Sequence, residues 1–316
     1  MTIADRTARL QRRLLPILMA ACFAVLPVPV GPRAAESLDT TRRVAVMSAF
    51  KPELDAILAR TAIDRVEHVN GIAFTLGRLG GQPVVLFASG ISMVNAAMTA
   101  QLVLDRFAVR EIVFTGIAGG VDPALAIGDV SVPERWGQYL ESVFARETPQ
   151  GFRPPAWAQS SLPPYGMKHP QDVSLRNEDH PDGTRRFWLD ADPALLDRAR
   201  SAAATVKLAN CAGAQACLPH QPRIVVGGRG VSGPAFVDNA SFREYVAATF
   251  GAAVLDMETA AVAAVAFSNK VPYIAFRSVS DLAGGGAGEN EMATFMTLAS
   301  VNAASVLEAY LSVPAP

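Results

Sequence analysis

The chain has 316 residues, half of them hydrophobic, and its 28 basic and 29 acidic side chains give a formal net charge of −1. This length and composition suit a globular chain of one large domain or two small ones. The near-neutral charge gives no reason to expect nucleic acid or an anionic membrane surface as a partner.

The first 35 residues follow the pattern of a secretory signal peptide. Residues 1–13 contain four arginines against one acid, and residues 14–30 are uncharged and apolar, as in the n-region and h-region of such a signal. Three prolines in the apolar run argue against the alternative, an uncleaved membrane-spanning helix. We therefore expect cleavage near residue 35, a periplasmic or secreted location, and no membrane contact by the mature protein.

After this leader, apolar strand patterns alternate with helical patterns along most of the chain. Strands are predicted at residues 42–48, 111–115, 128–133, 223–229, 252–256 and 272–278, with a hairpin-like pair at 66–77 and 82–88. Helices are predicted at residues 52–61, 92–106, 239–250, 258–268 and 290–311. Continuous apolar strands such as Ile112–Phe114 indicate a mostly parallel sheet with helices on both faces.

Residues 136–222 differ in character from the segments on either side. They are rich in proline, contain all three tryptophans, and offer one plausible helix at 193–207, with Asp192 as its cap and Pro193 in its first turn. Long loops of this kind are often lids or contact segments. An apolar lid over the open side of a pocket is one expectation, and a partly disordered surface loop or an oligomer contact is the other.

Removal of the signal peptide would leave two cysteines, Cys211 and Cys217. An oxidising compartment favours a disulfide between them, and two free thiols are the alternative. Neither their spacing nor the four scattered histidines fit a metal site, so we expect no metal and no other cofactor.

Two acids in the last third of the chain lie at the ends of predicted elements. Glu258 precedes a run of small apolar residues at helical spacing, and Asp281 follows the predicted buried strand Tyr273–Phe276. Such positions can face one crevice at the carboxyl edge of an open α/β sheet, where ligands bind. Glu258 could instead be a favourable charge at a helix start, and Asp281 a turn or cap residue.

These acids belong to a set of segments that occur in one consistent order. The segments are Val44–Glu53, Ser89–Ala97, Thr115–Gly120 followed by Ile127–Val130, Ser232–Val237, and Leu255–Ala263 followed by Arg277–Asp281. Together they resemble the nucleoside phosphorylase superfamily, and most closely its hydrolytic branch, the 5′-methylthioadenosine/S-adenosylhomocysteine nucleosidases. The resemblance covers roughly residues 43–135 and 224–311.

The resemblance implies an α/β fold, a three-layer αβα sandwich with a mostly parallel, barrel-like central sheet. It also implies a single domain, residues 40–313, with residues 136–222 as an inserted segment, because typical family members bridge this stretch with a shorter one.

Three acids are implied to be catalytic. Cleavage of an N-glycosidic bond needs protonation of the leaving base, stabilisation of the positive sugar and activation of water. In the family pattern, Asp281 donates the proton. Since a donor must itself be protonated, we expect burial to raise the pKa of Asp281. Glu258 accepts hydrogen bonds from the ribose hydroxyls, and Glu53 is the base for water. The alternative for Glu53 is a solvated acid near Lys51.

The family pattern also implies a set of substrate-binding residues. They are Phe236, Val237, Met257, Ser89, Ile91, Thr115, Arg277 and Ser280. Phe236 would stack on the base, Met257 would pack on the sugar, and Arg277 would orient a carboxylate. Phe236 and Met257 could instead be ordinary core residues, and Arg277 a buried ion-pair partner.

The nature of the nucleophile depends on the segment after the first strand. Phosphorylase relatives carry an arginine there, whereas this chain reads Met47–Glu53 with an acid at its end. That acid would repel phosphate, so we expect hydrolysis of purine nucleosides. We also expect the protein to be a homo-oligomer, namely a dimer. The alternatives are a phosphorylase that uses Lys51 and arginines of the insert, and a non-catalytic storage or binding protein.

Overall fold

Strands and helices alternate along most of the chain in the computed structural model, which describes residues 37–158, 160–212 and 216–314. These residues fall within one compact unit, Glu36–Pro316, and the predicted signal peptide lies outside the described residues. The helices are α1 (Lys51–Leu58), α2 (Met93–Arg106), α3 (Pro193–Ala203), α4 (Ala240–Phe250), α5 (Thr259–Asn269) and α6 (Met292–Ser312).

Twenty strands are present in the described residues. The first ten are β1 (Asp39–Ser48), β2 (Ala62–Val69), β3 (Ile72–Leu79), β4 (Gln82–Ala88), β5 (Phe107–Gly120), β6 (Val130–Val132), β7 (Arg135–Gln138), β8 (Ser142–Phe144), β9 (Arg146–Thr148) and β10 (Gly151–Arg153). The others are β11 (Lys168–Pro170), β12 (Val173–Asn177), β13 (His180–Arg186), β14 (Trp188–Asp190), β15 (Cys211–Ala212), β16 (Ala216–Cys217), β17 (Ile224–Val226), β18 (Arg229–Ser232), β19 (Val254–Asp256) and β20 (Tyr273–Asp281).

A twelve-stranded sheet forms the centre of the molecule. Its main path runs β14-β7-β18-β19-β5-β1-β4-β3-β2, and β20, β6 and β17 branch from β5. β5 pairs in parallel with both β1 and β20, and its last two glycines pair with β19. The sheet is covered by helices on its faces, and the predicted α/β fold with a large, mostly parallel central sheet is confirmed.

The core lies between this sheet and its helices. The middle of β1, Val44–Met47, and all nine residues of β20 are buried. α6 is long and apolar enough to cross a membrane by composition alone, but its residues Leu307, Tyr310 and Leu311 are buried in the core. Such burial removes apolar surface from water, which is the dominant stabilising contribution to folding.

Several elements differ from their predicted bounds. The segment predicted as one strand at 66–77 is a hairpin, because Asn70 and Gly71 have φ of 52° and 80°, as a two-residue type I′ turn requires. β5 and β20 both continue several residues beyond their predicted ends. The extra length carries Ile117 and Asp281 to the carboxyl edge of the sheet.

The inserted segment is built onto the main sheet. Its strands β7 and β14 extend the sheet edge through β18, and the rest forms short two-stranded pairs. The predicted helix is present as α3, where the Asp192 side chain accepts hydrogen bonds from the backbone of Ala194 and Leu195. A disulfide joins Cys211 and Cys217 across the β15–β16 pair.

Candidate active site

A cleft of about 690 Å³ opens at the carboxyl ends of β1, β5, β19 and β20. Ligands of open α/β sheets bind at this edge. Its lining residues are Ala49, Phe50, Glu53, Ile91, Ile117, Ala118, Gly119, Ala235, Phe236, Val237, Leu255, Asp256, Met257, Glu258, Ser280, Asp281 and Met292. The three acids of the family pattern therefore face one space.

Glu53 lies in the first turn of α1 with 2% of its surface exposed. Its Oε2 accepts from the backbone N–H groups of Ala49 at 2.6 Å and Phe50 at 3.3 Å, and its Oε1 from that of Ile117 at 2.8 Å. Burial raises the pKa of Glu53, against the opposing effect of Arg277. A buried carboxyl group with three fixed donors is not a solvated surface acid.

Lys51 does not pair with Glu53. Its side chain is 82% exposed, and its Nζ lies 2.6 Å from Asp55 Oδ2, one turn further along α1. The positive charge nearest to Glu53 in the cleft floor is instead Arg277, whose Nη1 lies 3.9 Å from Glu53 Oε1.

Glu258 is the N-cap residue of α5 and is buried. Its Oε1 accepts from the backbone N–H of Ser92 at 2.8 Å. Burial raises the pKa of Glu258 to about 7; Arg277 opposes this effect, and the charges of Asp256 and Glu53 add to it. Near neutral pH this carboxyl group can therefore change its charge state.

Ser92 reaches Glu258 from an unusual backbone conformation, with φ of 84° and ψ of 157°. Glycine populates this region readily and other residues rarely do, at a cost of about 1–3 kcal/mol. This conformation points the Ser92 N–H at the carboxyl group of Glu258. Strained conformations of this kind cluster at functional sites.

Asp281 ends β20 and is 3% exposed. The Ser280 hydroxyl donates to its Oδ2 at 2.9 Å, and the backbone N–H of Ala283 donates to its Oδ1 at 2.9 Å. Asn290 Nδ2 lies 3.4 Å from the same Oδ1. Burial raises the pKa of Asp281, and the charge of Glu291 adds to this effect. A raised pKa favours the protonated form, which a proton donor needs.

Arg277 lies under the cleft and does not line it. It is fully buried, with its guanidinium 4.2 Å from the Phe114 ring centre. Its Nη2 is 2.8 Å from Asp256 Oδ2 and 3.4 Å from Glu258 Oε2. Arg277 is thus a buried ion-pair partner that also holds a carboxylate of the cleft, and it does not reach a ligand in the cleft directly, as a substrate-binding residue would.

Asp256 is a site residue that the sequence interpretation missed. It ends β19 and lines the cleft, and its side chain accepts hydrogen bonds from the hydroxyls of Ser232 and Thr259. The backbone N–H groups of Glu258 and Thr259 also donate to it, each at 3.2 Å. Its position at the end of a predicted strand, two residues before Glu258, was the available signal.

A model of the phosphorylase superfamily matches residues 43–312. The chain belongs to this superfamily. It is 32% identical over 246 residues to the 5′-methylthioadenosine/S-adenosylhomocysteine nucleosidase of Mycobacterium bovis, covering 78% of this chain and 88% of the relative. Bark storage protein B of Populus deltoides is 26% identical, over 80% of this chain and 81% of its own length.

A solved structure of the superfamily has the same fold. S-adenosylhomocysteine nucleosidase from Streptococcus pyogenes, in complex with 5-methylthiotubericidin, superimposes with a TM-score of 0.66 at 22% identity. The superposition covers 87% of this chain and 98% of that one. The predicted family membership is thereby confirmed by both sequence and fold.

Of the eight substrate-binding residues that the superfamily pattern implies, five line the cleft, whereas Arg277, Ser89 and Thr115 do not. Ile91, Phe236, Val237, Met257 and Ser280 line the cleft. Phe236 is 55% exposed, so it is not a core aromatic. Sequence interpretation assigned no site role to the further lining residues Phe50, Leu255 and Met292. Phe50 and Leu255 lie within the family segments, whereas Met292 lies outside them and reaches the cleft only through the fold.

Ser89 and Thr115 lie behind the cleft wall and not on it. Both are buried, Ser89 directly after the end of β4 and Thr115 within β5. The Ser89 hydroxyl donates to the carbonyl of Gly90 at 2.8 Å. Neither residue therefore lines the sugar side of the cleft, contrary to what the family pattern implied.

The described part of the insert does not line the cleft. It packs on α4 instead, through ring contacts that include Tyr165 and Phe242, with ring centres 5.0 Å apart. The expectation of an apolar lid is therefore not met in this conformation. Strand pairing of β7 and β14 with the main sheet holds the segment to one side of the cleft.

Proposed function

We propose that the protein is a purine nucleosidase that hydrolyses the N-glycosidic bond of adenosine-like nucleosides and releases the free base and a ribose derivative. The observation that carries this proposal is the convergence of Glu53, Glu258 and Asp281 on one cleft. The identity of 32% with a 5′-methylthioadenosine/S-adenosylhomocysteine nucleosidase supports the same reaction class.

Each acid has a role that its surroundings support. Protonated Asp281 donates its proton to a ring nitrogen of the purine as the bond from C1′ to the base breaks and its electron pair passes to the base. Glu258 accepts from the ribose hydroxyls and places negative charge near the developing cation. Glu53 takes a proton from the water that attacks C1′. The next cycle needs this proton returned through solvent to Asp281.

Water is a better candidate than phosphate for the nucleophile. A phosphate dianion needs cationic partners, and none of the residues that line the cleft is Lys or Arg. Arg277 is engaged by three carboxyl groups beneath the floor, and Lys51 faces solvent. The phosphorolytic alternative therefore lacks the cations that it would require.

The cleft lining supports an apolar group on the substrate. Phe50, Ile91, Phe236 and Met292 contribute apolar surface, which favours a nucleoside whose substituents are not charged. An adenine nucleoside with an uncharged 5′ group, such as the methylthio compound named for the Mycobacterium bovis relative, is the substrate class that we propose.

We also propose that the mature enzyme is exported and dimeric. Export is supported by the arginine-containing and apolar stretches of residues 1–30 and by the Cys211–Cys217 disulfide. A dimer is supported by Ile91, Val94 and Met98, which are 50–79% exposed around the start of α2. N-terminal sequencing of protein from the periplasm and light scattering of Met98→Glu against wild type test these two points.

Incubation with a panel of nucleosides, with and without phosphate, tests the reaction. We expect release of adenine from 5′-methylthioadenosine or adenosine at a rate that does not depend on phosphate, with an unphosphorylated sugar as co-product. Phosphate-dependent release with a sugar 1-phosphate would identify a phosphorylase. Binding without release by a folded protein would favour the storage role that the name of the Populus deltoides relative carries.

A further inference from the structure

Lys168, in strand β11 of the insert, has unusual surroundings for a lysine. Its Nζ lies 5.5 Å from the ring centre of Tyr139, 5.7 Å from that of Phe242 and 5.9 Å from that of Tyr245. It also donates to the backbone carbonyl of Tyr139 at 2.7 Å. An ammonium group is attracted to aromatic ring faces, more strongly when it is removed from water. Burial lowers the pKa of Lys168 to about 8, which agrees with such removal.

The rings around Lys168 come from two parts of the chain. Tyr139 belongs to the insert with Lys168, whereas Phe242 and Tyr245 lie on α4. The Tyr245 hydroxyl donates to the carbonyl of Pro163 at 2.9 Å, and Tyr165 lies with its ring centre 5.0 Å from that of Tyr245. The cation therefore sits at the joint between the insert and α4.

This joint adjoins the cleft segment 232–237, which precedes α4. A Cβ placed on Gly233 would lie 2.6 Å from Leu140 Cδ1 and 2.9 Å from Tyr139 Cε1, so the insert touches the backbone of this segment. Val237 is buried in one hydrophobic cluster with Tyr139.

We propose that Lys168 is a positioning residue for the purine-binding segment 232–237. Its ammonium group holds the insert on α4, and the insert in turn fixes Phe236 and Val237 where they face the cleft. The insert thereby acts on base binding from behind the cleft wall and not as a lid above it. The proposal rests on the proposed function only in taking the ligand to be a purine.

Lys168→Met tests the proposal, because methionine keeps most of the apolar stem without the charge. We expect KM for the nucleoside and the dissociation constant of adenine to rise about five- to tenfold, with kcat within about twofold, because ground-state and transition-state binding weaken together. Lys168→Arg should restore most of the affinity, since a guanidinium also lies well over aromatic rings. Lys207→Met, at an exposed lysine, is the matched control and should match wild type.

Calorimetry with adenine measures binding without turnover, so it tests the role of Lys168 even if the wild type cleaves no nucleoside. Turnover by the wild type tests the proposed function alone. An unchanged adenine dissociation constant in folded Lys168→Met would overturn the proposal. So would an equal loss in Lys168→Arg, because the charge would then be irrelevant. If Lys168→Met does not fold, Lys168→Gln, which keeps an N–H donor without charge, gives the same comparison.

Discussion

Gly116 leaves the space into which the Glu53 carboxyl group packs, because a Cβ on Gly116 would lie 2.5 Å from Glu53 Cδ. The same Cβ would lie 2.7 Å from Arg277 Nη1. A glycine in the middle of β5 thus lets an acid from α1 and an arginine from β20 meet at one point of the sheet. Position 116 requires glycine because two side chains approach its Cα closely, and not because its backbone is left-handed.

Gly116→Ala should therefore impair the enzyme by displacing Glu53. We expect kcat to fall by about 10²-fold or more, as for loss of a positioned base, with a stability loss of about 1–3 kcal/mol from overpacking. Gly288→Ala is the matched control, because a Cβ there meets nothing within 4 Å. Steady-state kinetics and urea denaturation give both quantities. Wild-type kcat in Gly116→Ala would mean that Glu53 does not act as the base.

Asp281→Asn removes the proposed proton donor while the shape of the side chain stays nearly the same. Turnover should fall by about 10²- to 10⁴-fold, and nucleoside binding should change little, because only protonation in the transition state is lost. Single-turnover rates with calorimetric binding constants separate the two effects. A rate close to wild type on adenosine-like substrates would show that another group protonates the base.

The pH dependence follows from two pKa values that burial raises. Glu258 must be ionised to accept from the ribose hydroxyls, so activity should rise as pH rises through about 7. Asp281 must be protonated, so activity should fall once pH exceeds its own raised pKa. The free energy of unfolding depends on pH in the same direction for both groups. A raised carboxyl pKa stabilises the folded protein at low pH, and this stabilisation is lost as pH rises through the raised pKa.

Asp256→Asn should move the acidic limb of the kcat/KM profile to lower pH. The negative charge of Asp256 helps to raise the pKa of Glu258, so its removal lowers that pKa, by roughly one pH unit for a neighbouring charge. Asp55→Asn is the control, since Asp55 is an exposed acid paired with Lys51. Profiles of kcat/KM against pH, from about pH 5 to 9, test this prediction. An acidic limb that does not move would exclude coupling between the carboxyl groups of Asp256 and Glu258.

The sequence predicted much of the sheet and the location of three acids, but not how they are held. Glu258 and Asp281 were recognisable because Glu258 precedes an apolar run and Asp281 follows one. The position of Asp256 at a strand end was also visible, but its contacts were not, because its partners Ser232 and Arg277 lie 24 and 21 positions away and only the fold brings them together. Local periodicity carries no information on such contacts.

The position of the insert could not be predicted from the sequence either. Its prolines and tryptophans predicted a loop-rich segment, and α3 was recognisable from Asp192 and Pro193. Its place beside α4 depends on β7 and β14 joining β18, which is a pairing of short strands distant in sequence. Strands of three or four residues leave too weak a pattern to predict which edge of the sheet they extend.

Ser92→Gly should stabilise the protein and leave its activity intact. The Ser92 backbone has φ of 84° and ψ of 157°, and its side chain makes no capping hydrogen bond to α2. Glycine relieves strain of about 1–3 kcal/mol and adds freedom to the unfolded chain that costs about 0.4–1 kcal/mol. The expected net gain is about 1 kcal/mol, measured by urea denaturation. The N–H that binds Glu258 at 2.8 Å is a backbone group, so kcat should stay near wild type. Ser92→Ala, which keeps the strain, should show no gain, and a less stable Ser92→Gly would contradict the assignment of strain at this position.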